Sequence, residues 1–267
     1  MRELGSRRKA WALGWSVLFF LYVPLIVMAV FSFNDSDFTG LPFNGFTLHW
    51  YAMLLDDERL LASVWNSVYV ALGVVLLSSV FGLPAAIALD RYEFPGKAWF
   101  ARIVLLPIVL PGVITGVALL LFYMAMHFKL SLYTVMLGQG TGLMCVTITE
   151  VAARLRRMGK STEEAARTLG ATEWEVLLKV TLPGLMPALL GAMLISFSIS
   201  FDEIAVTYLL TGRQNTLPMM LWSILRREAT PEVNAVSTLV IVASILLICI
   251  GTWLSRRGSG APVTAAR

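Results

Sequence analysis

Residues 62–89 read ASVWNSVYVALGVVLLSSVFGLPAAIAL, 28 residues in succession without one charged side chain. A bilayer core about 30 Å thick takes roughly 20 apolar helical residues to cross, so this run is long enough to span it. Lipid offers no hydrogen-bond partner to an open strand edge, which makes the run a helix. Five further stretches share the pattern: 11–33, 103–126, 130–149, 185–210 and 233–255. Of these, 130–149 is the least apolar, carrying Gln139 with Gly138, Gly140 and Gly142, and 185–210 is interrupted by Asp202 and Glu203. The reading is an all-α integral membrane protein with six transmembrane helices. Arg7, Arg8 and Lys9 precede the first run, as in a signal peptide. That run is too long for a signal's apolar region and no small-residue cleavage site follows, so a retained helix is expected.

Composition points the same way. The chain has 267 residues, 57% apolar and 14% charged, with a mean hydropathy of +0.75. A soluble domain is about 45–50% apolar and about 25% charged, so a soluble globule, a disordered chain and a nucleic-acid scaffold are excluded. The net charge of +4 reports orientation. An even number of spans puts both termini on one side. The segments on that side (1–10, 91–102, 154–179 and 256–267) hold sixteen of the 21 Lys and Arg. The opposite loops hold only Arg59, Lys129, Arg213, Arg226 and Arg227. The positive-inside rule then places residues 1–10 and the tail 256–267 in the cytoplasm.

Catalytic chemistry is absent. His49 and His127 stand far apart at span ends, and no Cys/His cluster has zinc spacing, so neither a metal nor a catalytic residue is expected. Cys145 and Cys249 fall inside apolar runs and read as small buried hydrophobes. Gly159-Lys160-Ser161 has the tail of a phosphate-binding loop, yet Arg154 stands where that motif needs glycine and no strand precedes it. No cofactor is expected. Gly138, Gly140, Gly142 and the Gly112/Gly116 pair suit close helix packing.

The polar insert is 154–183. Ser161-Thr162-Glu163-Glu164 fits a capping box in which Glu164 reaches back to the first helical turn, and Thr172-Glu173-Trp174-Glu175 fits a second. Ala165, Ala166 and Leu169 make a small apolar stripe, Gly170 a left-handed stop, and Pro183 a break before the next span. A helix–glycine–helix element outside the lipid is expected, either lying on the inner leaflet or docking a soluble partner.

Here the residues resemble a known family. Glu164-Ala165-Ala166-x3-Gly170-x9-Val180-x-Leu182-Pro183 is similar to the E-A-A-x3-G-x9-I-x-L-P loop of binding-protein-dependent ABC importer permeases, departing only at Val180. Trp65-Asn66-Ser67 and Leu106-Pro107 through Pro111-Gly112 resemble further elements of that family, and Ser200-Phe201-Asp202-Glu203 with Thr230–Ala235 most resemble its spermidine/putrescine type, in the second (C-type) permease subunit. The resemblance implies a type I importer permease-like fold in a bacterial inner membrane. It also implies that Glu164, Ala165, Ala166, Gly170, Leu182 and Pro183 form a coupling helix seated on a cytoplasmic ATPase. The implied partners are two ATPase subunits, a second homologous permease, an external substrate-binding protein and membrane lipid, with no nucleic acid. ATP hydrolysis would then fall to a separate chain.

The polyamine cargo suggested by the resemblance directs attention to Asp202 and Glu203. Ionisable groups at membrane depth are costly and face a bundle interior or an aqueous path. Counted from Leu185, Asp202 lies 17 residues on, about 26 Å of helical rise, in the outer half of the span. Neighbours on a helix diverge by about 100°, so one of the pair would face the path and the other would cap or brace. Phe201, Tyr208 and Trp222 could supply apolar or cation–π walls for an alkylammonium. A second reading stays open, in which the pair marks the outer end of a shorter fifth span. Other solutes of the same importer class, and an ion-coupled secondary transporter, are the rival functions. The latter would show inverted repeats and leave 154–183 without a purpose.

Overall fold

The computed structural model describes residues 2–36, 40–227 and 231–258. Within the expected cytoplasmic tail, 259–267 lie outside the described residues, as does Thr230. The described chain is helical: α1 (Arg2–Phe31), α2 (His49–Asp56), α3 (Glu58–Arg91), α4 (Lys97–Val109), α5 (Gly112–Ala125) and α6 (Leu132–Met158) come first. They are followed by α7 (Ser161–Thr168), α8 (Glu173–Val176), α9 (Leu182–Phe201), α10 (Ala205–Leu210), α11 (Leu217–Arg227) and α12 (Pro231–Gly258). Four helices are long and apolar enough to cross a bilayer among the described residues: Leu13–Phe31, Glu58–Arg91, Leu132–Met158 and Glu173–Phe201. The pair α4–α5 makes a fifth if it is one broken span, and Pro231–Ala243 is a shorter apolar helix.

Two of the expected spans are not single helices. The stretch 103–126 bends by 109° between α4 and α5. Pro111 is the cause, because it forces the preceding Leu110 out of the helical region (φ −78°, ψ 131°) and cannot itself donate a hydrogen bond. The stretch 185–210 breaks after Phe201, and the six residues of α10 form a separate piece.

The chain divides into two units. In the first, Met1–Leu61 with Leu221–Arg267, α12 contacts both α1 and α2. Buried Asn34 organises the loop between α1 and α2: its side chain accepts from the Asn44 amide (2.9 Å) while its carbonyl accepts from Trp50 Nε1 (2.9 Å). Asp57 Oδ1 accepts from the amides of Arg59 (2.8 Å) and Leu60 (3.2 Å), capping α3. The apolar stretch of α1 is exposed along its length, including Phe20 at 80%. Such a surface is tolerable in lipid and not in water.

The second unit, Ala62–Met220, is built around α6. Val70 and Val74 of α3, Tyr123 of α5, Leu132, Val135 and Met136 of α6, and Val206 and Leu210 of α10 form one core cluster. Ala86, Ile148, Val151, Leu155, Leu185 and Leu189 form another, joining α3, α6 and α9. The least apolar of the expected spans is thus the most enclosed. Gly138 and Gly140 allow that approach, a Cβ on Gly138 standing 2.5 Å from Leu210 Cδ1 and one on Gly140 3.1 Å from Leu77 Cβ, whereas nothing lies within 4 Å of a Cβ on Gly142, which close packing does not explain. Cys145 is buried in the same helix, as its apolar setting suggests.

Candidate functional site

The insert 154–183 forms the expected helix–glycine–helix element, with two corrections. The second capping box is present: Thr172 Oγ1 accepts from the Glu175 amide (3.3 Å), and Glu175 Oε2 accepts from the Thr172 amide (3.0 Å). The first is not. Ser161 already lies inside α7, whose N-cap is Lys160, and Glu164 is exposed rather than folded back on the chain. Pro183 does not break the helix either. A π-helical turn, Leu177–Thr181, runs from α8 into α9, and Pro183 occupies the second position of α9. The wider turn accommodates a ring that would otherwise crowd the preceding carbonyls and a residue with no N–H to donate.

Gly170 has φ +88°, the left-handed conformation that ends α7. Ala165, Leu169 (90% exposed) and Trp174 (67%) stand open, with Ala166 half-buried. Leu182 is half-buried and Pro183 exposed. Arg167 Nε and Nη2 donate to the two carboxylate oxygens of Glu173 (2.6 and 2.9 Å), bracing α7 against α8. That contact holds the Arg167 guanidinium above its ordinary pKa.

The buried acid of the loop is Glu163, 3% exposed. Its Oε1 accepts from Arg91 Nε (3.2 Å), Arg91 Nη2 (3.1 Å) and Thr181 Oγ1 (3.0 Å). Arg91 Nη2 also donates to the Gly159 carbonyl (2.9 Å), and Nη1 pairs with Asp90. Arg154 donates to the Gly184 carbonyl (3.0 Å). Sequence reasoning passed over Glu163, Arg91 and Thr181. The available signal was position: Arg91 is the last residue of a long apolar helix, where a basic group needs an acceptor.

The acidic pair sits at the break between α9 and α10, and its members differ. Asp202 is exposed, and its carboxylate has no hydrogen-bond or ion-pair partner among the described residues. Glu203 is half-buried, and its Oε1 accepts from the Val206 amide (3.0 Å), capping α10. Beneath the break lies a buried polar cluster that the sequence did not disclose. Ser200 Oγ donates to Gln139 Oε1 (2.5 Å), Gln139 Nε2 donates to Thr207 Oγ1 (2.7 Å), and Thr207 Oγ1 donates to the Glu203 carbonyl (2.8 Å). Phe201 stacks on Phe197 with centroids 5.9 Å apart, and Tyr208 is exposed. Trp222 belongs to the other unit, where Arg226 lies over its ring at 5.1 Å. No group of His, Cys, Asp or Glu among the described residues could hold a metal.

Comparison with known proteins gives the chain relatives in sequence and neighbours in fold. The spermidine/putrescine transport system permease protein PotC of Escherichia coli (strain K12) is 30% identical over 238 residues, 89% of this chain and 90% of that one. The putrescine transport system permease protein PotI of the same strain is 32% identical over 246 residues, 89% and 87% of the two chains. A chain in the crystal structure of a bacterial alginate ABC transporter, in complex with an alginate pentasaccharide-bound periplasmic protein, superposes with a TM-score of 0.71 at 17% identity, covering 98% of each. Residues 78–257, from the middle of α3 to the last turn of α12, match a single family description. The chain belongs to the family of the binding-protein-dependent transport system inner membrane component.

Proposed function

We propose that the solute carried by this permease subunit is a polyamine of the spermidine and putrescine class. As a member of its family the chain is a transport subunit of an ABC importer rather than an enzyme, and a multi-pass protein of the inner membrane. The observation that carries the substrate reading is the similarity to two polyamine permeases over nearly the whole chain. Exposed Asp202, without a carboxylate partner among the described residues and next in sequence to Phe201 of the Phe197–Phe201 stack, supports it, since a carboxylate and an aromatic face suit an alkylammonium. In this reading the six spans place both termini in the cytoplasm. The chain pairs with a second permease and receives solute from an external binding protein. The exposed face of Ala165, Leu169 and Trp174 docks on one of two ATPase subunits.

The test is uptake of labelled spermidine and putrescine into vesicles holding this chain with its genomic-neighbour ATPase, permease and binding protein. ATP-dependent uptake that drops in Asp202→Asn supports the reading. ATPase activity stimulated by the loaded binding protein without polyamine uptake would discard the substrate and keep the importer.

A further inference from the structure

We propose that Glu163 is the joint through which the loop 154–183 acts on the spans, a positioning residue that ties α7 to α3 through Arg91 and to the entry of α9 through Thr181. The inference rests on the importer reading, in which an ATPase pushes on the exposed face of this loop. Glu163 is 3% exposed, whereas Thr162, Glu164 and Ala165 beside it are open. A force applied to the outer face of α7 reaches α3 and Thr181 through the side chain that turns inward, and reaches α8 through the Arg167–Glu173 pair.

That side chain holds three elements at once. Oε1 takes Arg91 Nη2 (3.1 Å) and the Thr181 hydroxyl (3.0 Å), while Arg91 Nε lies between the two carboxylate oxygens, 3.0 Å from Oε2 and 3.2 Å from Oε1. Arg91 is the C-terminal residue of α3, held in place by Asp90 and by the Gly159 carbonyl. Thr181 closes the π-helical turn ahead of α9. A π turn inserts one residue into the helical register, so a shift at this turn displaces the helix beyond it, and such turns recur at functional sites. The geometry makes the two arms separable. Thr181→Val removes the α9 arm and leaves the Arg91 pair intact. Glu163→Gln keeps the shape of the side chain and weakens both arms, without leaving the enclosed Arg91 wholly unpaired as alanine would.

The experiment uses the full importer in vesicles, and reads three quantities for wild type, T181V, E163Q and the double variant. These are recovery of the ATPase with this chain, ATP hydrolysis stimulated by loaded binding protein, and solute taken up per ATP consumed. ATPase recovery should be unchanged, because the docking face is untouched. Uptake per ATP should fall by about fivefold or more in both single variants, the lower range of ordinary coupling between sites. The double variant should be no worse than E163Q, since Thr181 acts through the same carboxylate. Wild-type uptake per ATP in T181V would overturn the joint, and so would a loss of E163Q confined to insertion or assembly. Uptake by the wild-type complex without ATP would overturn the importer reading and the joint with it, and that control is scored before any variant.

Discussion

Adjacent acids divide their work twice in this chain, and in each pair burial decides which does what. Glu163 is enclosed and Glu164 open. Glu203 caps α10 while Asp202 stands free among the described residues. The cap makes a directional prediction. Glu203→Ala removes the acceptor for the Val206 amide and should cost about 1 kcal/mol, as lost caps do. Glu203→Gln retains an oxygen in the same place and should cost less. Thermal unfolding of the detergent-purified chain orders the two variants. Asp202→Asn should leave that transition within the usual surface range of about 0.5 kcal/mol while lowering polyamine uptake. A lowered transition in Asp202→Asn would instead make Asp202 structural.

Gly170 carries a different constraint. At φ +88° a Cβ is strained even though nothing crowds it, and a β-branched residue is the worst choice. Gly170→Val should cost about 1–2 kcal/mol locally and turn α8 away from α7, abolishing transport with membrane insertion unchanged. Normal uptake at normal expression would remove 154–183 from the coupling role.

For the helices, sequence was a good guide to where they run and a poor one to where they bend. Apolar length gave α1, α3 and α6 directly, because each is a long uninterrupted run. Hydropathy says nothing of continuity, so the 109° bend at Pro111 was hidden inside a run of sufficient length, whereas α9 stops at the acidic pair, where the second reading of the sequence ended the fifth span. The chain's own punctuation was visible there, a Pro-Gly pair in one and an acidic pair in the other. The loop 154–183 was legible because caps and a stop glycine are local signals. Glu163 was not, because its partners lie 72 and 18 residues away in sequence.

Gln139 lowers the apparent apolarity of α6, yet it suits a helix enclosed by others, where its amide joins Ser200 of α9 to Thr207 of α10. Gln139→Leu would strand the buried Ser200 hydroxyl and take from Thr207 the donor it accepts, at a cost of about 1–3 kcal/mol. The expected outcome is a lower melting transition and faster amide exchange across 202–207, next to the proposed path. Unchanged exchange there would mean that the polar cluster does not hold the break.

At the scale of the whole molecule, orientation follows from charge and the number of crossings from helix length, and the two can be tested together. Six crossings need the bent α4–α5 pair to count as one and α12 to cross beyond its short apolar part. Sixteen of the 21 basic residues then fall on one side, an asymmetry that sets topology when the loops are short. If α4–α5 instead entered and left by the same side, Lys129 would join Phe94 in the cytoplasm and every later loop would be inverted. The loop 154–183, with Arg154, Arg156, Arg157, Lys160, Arg167 and Lys179, would then face outward. That places six cations on the disfavoured side and leaves the exposed Leu169 and Trp174 beyond the reach of any cytoplasmic ATPase. Single cysteines at Thr47, Phe94, Lys129, Leu169 and Gln214, in a chain with Cys145 and Cys249 replaced, distinguish the arrangements with a membrane-impermeant maleimide. Labelling of Thr47, Lys129 and Gln214 in intact cells, with Phe94 and Leu169 reached only after permeabilisation, is the expected pattern. Labelling of Leu169 from outside would overturn the topology and with it the proposed site of ATPase docking.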